Sequence, residues 1–304
     1  MAAVDLKQID YFVHVAELGS FTRAATVLRV AQPALSRQVR SLEVELRQPL
    51  FDRNGRGVTL TEAGKRLLAH GRGILQQVER ARQDLEDQRG AASGRLAIGL
   101  PPSVSRTLTG PLVETFRERF PKATLTMVEG LSTYVLEWLV LGRIDCAVVY
   151  NVTPAAAVDL VPVLDEPLYL VSARGAAPAL VAKPVALTKL ADHELVIPSR
   201  PHSIRMLLET TLAGAGLKPR IGLEIESVPA ILDLVERNPL HAVLALNALR
   251  GREENFVARP ITITRDQPPL AARLWIATSA QRPRGPLIEQ GTALLAEMLK
   301  RLWA

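Results

Sequence analysis

The sequence predicts an α/β chain that begins with an all-helical module. Apolar residues at helical spacing fill the first 46 positions in three short blocks. From residue 94 onward, short apolar strand patterns alternate with helical ones. One long polar helix pattern, residues 62–90, separates these two textures. At 304 residues the chain is too long for one ordinary core and suits two or three domains.

The first block, LKQIDYFVHVAEL, puts Leu6, Ile9, Phe12, Val13 and Ala16 on one side of a helix, which Gly19 stops as a C-cap. Ser20 starts the next helix as an N-cap, and SFTRAATVLRV buries Phe21, Ala24, Ala25 and Leu28. The third helix, AQPALSRQVRSLEVEL, carries the stripe Leu35, Val39, Leu42 and Leu46, with Pro33 in its first turn. Three short helices in close succession are the skeleton of a helix-turn-helix. In PLFDRNGRGVTLTEAG, residues 49–64, Asn54-Gly55 and Arg56-Gly57 turn between Leu50-Phe51 and Val58 to Leu60, which predicts a hairpin wing. Residues 47–66 carry a net charge of +3, with Arg53 and Arg56 flanking the turn.

The third helix has its charges the wrong way round for an isolated helix. Its start bears Gln32, Pro33, Ser36, Arg37 and Arg40, and its acids Glu43 and Glu45 come late. A helix N-terminus is partially positive and normally favours acids. An acid-free, donor-rich start suits a surface that meets duplex DNA, where carboxylates repel and donors bond. Gln32 is placed to bond adenine, and Arg37 or Arg40 to reach guanine or phosphate. Ser36 suits a phosphate or a base edge, and Pro33 a thymine methyl. Ser20 and Thr22, at the start of the preceding helix, are placed for phosphates, and Arg53 and Arg56 for the neighbouring backbone or minor groove. For each residue alone the alternative is a solvated surface side chain.

In residues 62–90, Leu67, Gly71, Ile74, Val78, Ala81 and Leu85 step by four and three, a heptad seam that predicts pairing of two subunits. The alternative is a helix resting on its own domain. GAASG, residues 90–94, reads as a linker. Beyond it, the strand patterns are RLAIGL, TLTMVE, DCAVVY, LYLVSA, LVIPS, RIGLEIE, AVLALN and RLWIATS, with helical stretches such as GPLVETFRERF, STYVLEWLVLG and SIRMLLETTLAGAG between them. This texture predicts mostly parallel strands, in about 210 residues that suffice for two lobes.

In such sheets ligands bind beyond the carboxyl ends of strands, where helices begin. Three strand ends run into hydroxyl-bearing helix starts: Ser103 and Ser105; Ser132 and Thr133; Ser199, Arg200, His202 and Ser203. Tyr150 ends DCAVVY and is a candidate cleft wall. Helix N-termini attract carboxylates, so the expected ligand is a small anion or an amphipathic metabolite. Each serine is equally well explained as an N-cap.

Composition bounds the rest. Net charge is +6 and the pI near 9.8, which permits an anionic partner. Aromatics make up 4%, too few for stacking platforms to be the main device on single-stranded nucleic acid. The one cysteine, Cys146, lies in an apolar run and reads as a buried small hydrophobe in a reducing cytoplasm. MAAVDLKQIDYF is not expected to be a signal peptide, and no window reaches the ~18 apolar residues of a membrane span. There is no GxSxG, HExxH or P-loop, and the five histidines lack metal-ligand spacing, so neither catalysis nor a cofactor or metal is expected. Asp145 and Asp165 are expected to be structural.

The stretch over roughly residues 5–66, with its SFTRAA start, QPALSRQV helix, PLFDR turn and TLTEAG exit, resembles the N-terminal domain of LysR-type transcriptional regulators nearly without gaps. The C-terminal EGLSTYVLEWLVLGRIDCAVVYN, DEPLYLV and IPSRPHSIR resemble, more loosely, the branch containing nitrogen-assimilation-control regulators. The resemblance implies a winged helix-turn-helix, a linker helix that pairs subunits, and a doubly wound, two-lobed domain like periplasmic binding proteins. It implies an effector cleft between the lobes, an imperfect inverted repeat as the DNA site, a dimer of dimers, and contact with RNA polymerase. The corresponding bounds are 1–61, 62–90 and 91–304, with lobe I about 94–163 plus 269–304 and lobe II about 164–268. One departure stands out. The family usually has a glycine-bearing turn and a Leu-Pro step where residues 236–249 read ERNPLHAVLALNAL. A solute-binding module or a doubly wound enzyme with a basic helical appendage are the rival readings.

Overall fold

The computed structural model describes residues 4–54, 57–86, 94–175, 179–264 and 268–303. They fall into two compact units, 1–91 with 141–143 and 92–140 with 144–304.

In the first unit, α1 (Leu6–Leu18) opens on a reciprocal cap. The Asp5 carboxylate accepts from the Lys7 N–H, and Gln8 Oε1 accepts from the Asp5 N–H. Gly19, at φ 60°, ends it. The Ser20 hydroxyl accepts from the Arg23 N–H at 3.3 Å and starts α2 (Phe21–Leu28). Then follows α3 (Gln32–Leu46). Both α2 and α3 end on a left-handed arginine, Arg29 and Arg47, with the next N–H returning to Ala25 and Glu43 carbonyls. Phe12, Leu35, Val39 and Leu42 are fully buried. Leu6, expected on the buried side, is 44% exposed at the first position of α1, while Gln8 and Ile9 in the same turn are buried.

The wing is β1 (Phe51–Asn54) paired antiparallel with β2 (Gly57–Leu60). Phe51 roots it in the core, with ring centroids 5.2 Å from Phe12 and 5.7 Å from Phe21. Polar ties fix the approach. Glu43 accepts from the Leu50 and Phe51 N–H groups at 2.8 and 3.2 Å, and the Thr61 hydroxyl donates to the Pro49 carbonyl at 2.7 Å. Removing the carboxylate orphans two N–H groups. Glu43→Ala is therefore expected to cost the first unit about 1–3 kcal/mol, and Glu43→Gln, which keeps an acceptor oxygen, much less. Thermal unfolding of the two variants checks this.

The last element of this unit is α4 (Glu62–Glu86). The heptad seam expected along it divides. Leu67 packs into the helical core, and Gly71 is buried against α1. A side chain at Gly71 would stand 3.1 Å from methyls of both Ile9 and Val13. These two positions therefore serve their own unit, as the alternative reading had it. Further along, Ile74 is 39% exposed, Val78 half-buried and Ala81 exposed. The side chain of Leu85 and the linker residues 90–93 lie outside the described residues.

The second unit begins with β3 (Gly94–Leu100), α5 (Pro102–Arg119), β4 (Ala123–Glu129), α6 (Ser132–Val140) and β5 (Cys146–Tyr150). The long β6 (Val158–Ala173) and short β7 (Val185–Ala186) follow, then β8 (Glu194–Ile197), α7 (Ser203–Gly214), β9 (Arg220–Glu224) and α8 (Val228–Arg237). It closes with β10 (Ala242–Ala245), β11 (Phe256–Thr262), β12 (Ala271–Ser279) and α9 (Pro286–Trp303). All eight strand patterns read from the sequence are present. LYLVSA is only the second half of β6, and β7 and β11 were not read.

The expectation of mostly parallel pairing is corrected to a mixed sheet. β3 runs parallel to β4 and β5, and β8 to β9. β12, β11 and β10 all run antiparallel to β6. The cause is the 16-residue β6. Its first part, Val158 to Pro167, pairs with β12; its second, Leu168 to Ala173, pairs with β10 and β11. One strand thus changes sheet neighbours near Pro167. Asp145 is structural: its carboxylate accepts from the Ala97 N–H at 2.6 Å. Asp165 forms a two-pronged pair with Arg273, which lowers its carboxyl pKa chiefly through that hydrogen bond. Cys146 is buried in β5.

Candidate nucleic-acid interface and effector cleft

The stripe Leu35, Val39 and Leu42 anchors α3 with no solvent exposure and fixes which face turns outward. Gln32, Pro33, Arg37 and Arg40 are exposed on that outer face, and Ser36 is half-buried. No acid stands in the first turn, and the N-cap Ala31 offers no side-chain cap. Among the described residues, no hydrogen bond or ion pair occupies the side chains of Gln32, Ser36, Arg37 or Arg40. The acids at the far end are engaged within the unit. Glu43 holds the turn into the wing, and Glu45 accepts from Gln8 and Ser41 at 3.4 and 3.5 Å. The charge asymmetry thus has two causes: structural work for the acids and an open, cationic start.

The flanking candidates divide. Thr22 is exposed in the first turn of α2, and Ser20 Oγ caps that helix as an acceptor, which leaves its O–H able to donate. Arg53 stands in β1 opposite Val58. Arg56 lies outside the described residues.

In the second unit, a cavity of about 820 Å³ is lined by the N-terminal ends of α5, α6, α7 and α8. Ser103, Ser132, Tyr150, Arg200, His202 and Ser203 line it. Ser105, Thr133 and Ser199 are not among the lining residues. Ser105 turns along α5 to Thr109 (3.3 Å), and Thr133 is exposed. Ser199 donates to Glu226, which does line the cavity, at 2.7 Å. Five of the six lining candidates hold protein partners: Ser103 Oγ lies 3.5 Å from the Tyr150 hydroxyl, which itself bonds Glu166. Ser132 Oγ accepts from the Tyr150 N–H, Arg200 pairs with Glu209, and His202 Nδ1 accepts from the Ile204 N–H as the N-cap of α7. Burial holds the His202 pKa below its usual range, against the pull of Glu226.

The buried centre of the wall is Glu166, which the sequence reading missed. It is 5% exposed; Tyr150 donates to one oxygen and the Trp303 indole to the other, each at 2.7 Å. Burial raises its pKa above the carboxylate range, opposed by these two bonds. Burial, then the Glu166 charge, pushes the Tyr150 phenol well above its usual value. Period-two alternation along DEPLYLV was the available signal, since it turns Asp165 outward and Glu166 inward. Glu166→Ala orphans both donors and is expected to lower stability by about 1–3 kcal/mol, with altered tryptophan emission. Equilibrium unfolding with fluorescence detection reads both. Asn247, Trp138, Arg106, Glu129 and Glu226 also line the cavity and were not read from the sequence.

Comparison with known proteins decides the family. The model for "LysR substrate binding domain" matches residues 89–300, and that for "Bacterial regulatory helix-turn-helix protein, lysR family" matches residues 6–65. The chain belongs to the LysR family. Among LysR-family relatives, the nitrogen assimilation regulatory protein nac of Klebsiella aerogenes is 33% identical over 302 residues, 98% of this chain and 96% of that one. The DNA-binding transcriptional dual regulator OxyR of Escherichia coli (strain K12) is 34% identical over 55% of each chain. Full-length CbnR complexed with its target DNA superposes with a TM-score of 0.70 at 24% identity, covering 99% of this chain and 100% of that one. A full-length OxyR variant from Pseudomonas aeruginosa gives 0.71 at 22%, covering 98% of each. This LysR-family chain is a DNA-binding transcriptional regulator with an effector-binding domain, not an enzyme. Among the described residues, no helix is long and apolar enough to cross a membrane.

Proposed function

We propose that the start of α3 enters the DNA major groove, with Gln32, Ser36 and Arg37 reading bases, Arg40 and Pro33 at the edge of the contact, Thr22 and Ser20 on phosphates, and Arg53 and Arg56 following the backbone beside the wing. The observation that carries this reading is the exposed, unengaged Gln32, Arg37 and Arg40 above a fully buried stripe. Domains bounded at residues 61 and 90, two subunits joined along the exposed part of α4, and an imperfect inverted repeat complete the reading. A dimer of dimers in the cytoplasm, working on RNA polymerase, is the assembly the resemblance supports. The likeness to nac supports control of nitrogen-assimilation genes.

A small molecule bound in the cleft changes the assembly only by favouring one quaternary state over another. Genome-wide footprinting tests the reading. Two-fold-related half-sites near nitrogen-assimilation genes are expected, and asymmetric, unspaced sites contradict it. A fragment ending at residue 93 is expected to sediment as a dimer. A monomer would remove the pairing role of α4, whose seam is already shortened by Leu67 and Gly71.

A further inference from the structure

Building on the reading of the cleft as an effector site, we propose that its ligand is a zwitterion, a small molecule bearing both a cationic nitrogen and a carboxylate, rather than a simple anion. The charges of the lining carry this. Glu129, Glu166 and Glu226 all face the cavity, with Arg106 and Arg200 as the guanidinium groups. Arg200 is spent: Glu209 accepts from its Nε at 3.0 Å and pairs with a terminal nitrogen at 2.8 Å. His202 accepts the Ile204 N–H at Nδ1 as the N-cap of α7, the role of a neutral ring, and burial lowers its pKa. Among the described residues, Arg106 is therefore the lining cation with no carboxylate partner. A simple anion would meet Arg106 and the helix N-termini but also the carboxylates of Glu129 and Glu226. A simple cation would meet the reverse. A zwitterion complements both.

The two sets lie in different places. Arg106 on α5 donates to the Arg250 carbonyl at 3.2 Å, at the end of the short turn Leu246–Leu249. Asn247 belongs to that turn and to the lining, and its amide nitrogen and oxygen are both buried without a partner. An unpaired buried amide is costly unless something bonds it. Arg106 and Asn247 thus form a carboxylate-recognising corner. Glu129 precedes α6, beside Trp138, whose ring packs on Gly130; a side chain there would stand 2.7 Å from the ring. Glu226 has one oxygen engaged by Ser199 and the other open. Carboxylates beside an indole suit an ammonium group.

The test is calorimetric titration of the full chain with the standard amino acids and 4-aminobutyrate, each set beside its deaminated and its decarboxylated counterpart. At least one amino acid is expected to bind, with either counterpart weaker by about tenfold or more. Glu226→Gln and Arg106→Gln, both at exposed positions, are each expected to weaken it by about 10- to 100-fold without lowering the melting temperature. If a deaminated acid binds as tightly as its amino parent, the cleft is a binding site but this proposal is overturned. If no probe in any set binds, the effector reading of the cleft falls with it.

Discussion

Gly64→Ala is expected to unseat the wing and abolish DNA binding. A Cβ at residue 64 would stand 2.1 Å from the Leu50 carbonyl oxygen and 2.9 Å from a Leu60 methyl. The Leu50 oxygen is backbone, so no rotamer change relieves the clash. The first turn of α4 must move away from the strand pair. That motion breaks the bond from the Gly64 N–H to Thr61 Oγ1 (3.0 Å) and the one from Thr61 to Pro49, and it loosens the two N–H groups held by Glu43. Overpacking plus these losses is expected to cost about 3 kcal/mol or more. For a unit this small that is a fall in melting temperature of more than about 10 °C. Thermal unfolding and DNA binding of the variant check it, and a variant that melts and binds like the parent would contradict the account of this turn.

The second large effect is on affinity. Gln32→Ala and Arg37→Ala each remove a side chain with no structural partner, so the fold is expected to be unchanged. Each lost base contact costs about 1–3 kcal/mol. The two together are expected to weaken cognate binding by between about 30-fold and about 20,000-fold. Non-cognate affinity should fall far less, since it depends on phosphate neutralisation and only one charge is lost. Titrations of both DNAs at one salt concentration separate the two terms. Equal losses on both would assign Arg37 to the phosphates.

The helical module was legible because its signals are local. Leu35, Val39 and Leu42 mark one face at helical period, Gly19 and Ser20 punctuate, and the wing follows from Asn54-Gly55. The acids of α3 were less legible. Glu43 is as polar as Arg40, and only the folded turn shows that it holds the Leu50 and Phe51 N–H groups. The α4 seam misled for a related reason. Heptad spacing does not say which neighbour a face meets, and Gly71 reads as a weak seam position until α1 lies against it. In the second unit most strand positions were legible, β7, β11 and the first half of β6 apart, but directions were not, because β6 changes partners midway. Of the hydroxyls read at helix starts, Ser103, Ser132 and Ser203 line the cavity, while Ser105, Thr133 and Ser199 do not. They gave no hint of Asn247, or of Glu166, which the Trp303 indole holds from 137 residues along the chain.

Selection of bound sequences from a random duplex pool, run in parallel for the parent chain, Gln32→Ala and Arg37→Ala, tests the central claim most directly. The parent is expected to recover a two-fold-related motif. Each variant should recover the same spacing with preference lost at a single base step per half-site, adenine for Gln32 and guanine for Arg37. Identical motifs from all three proteins would mean that the start of α3 does not read the DNA.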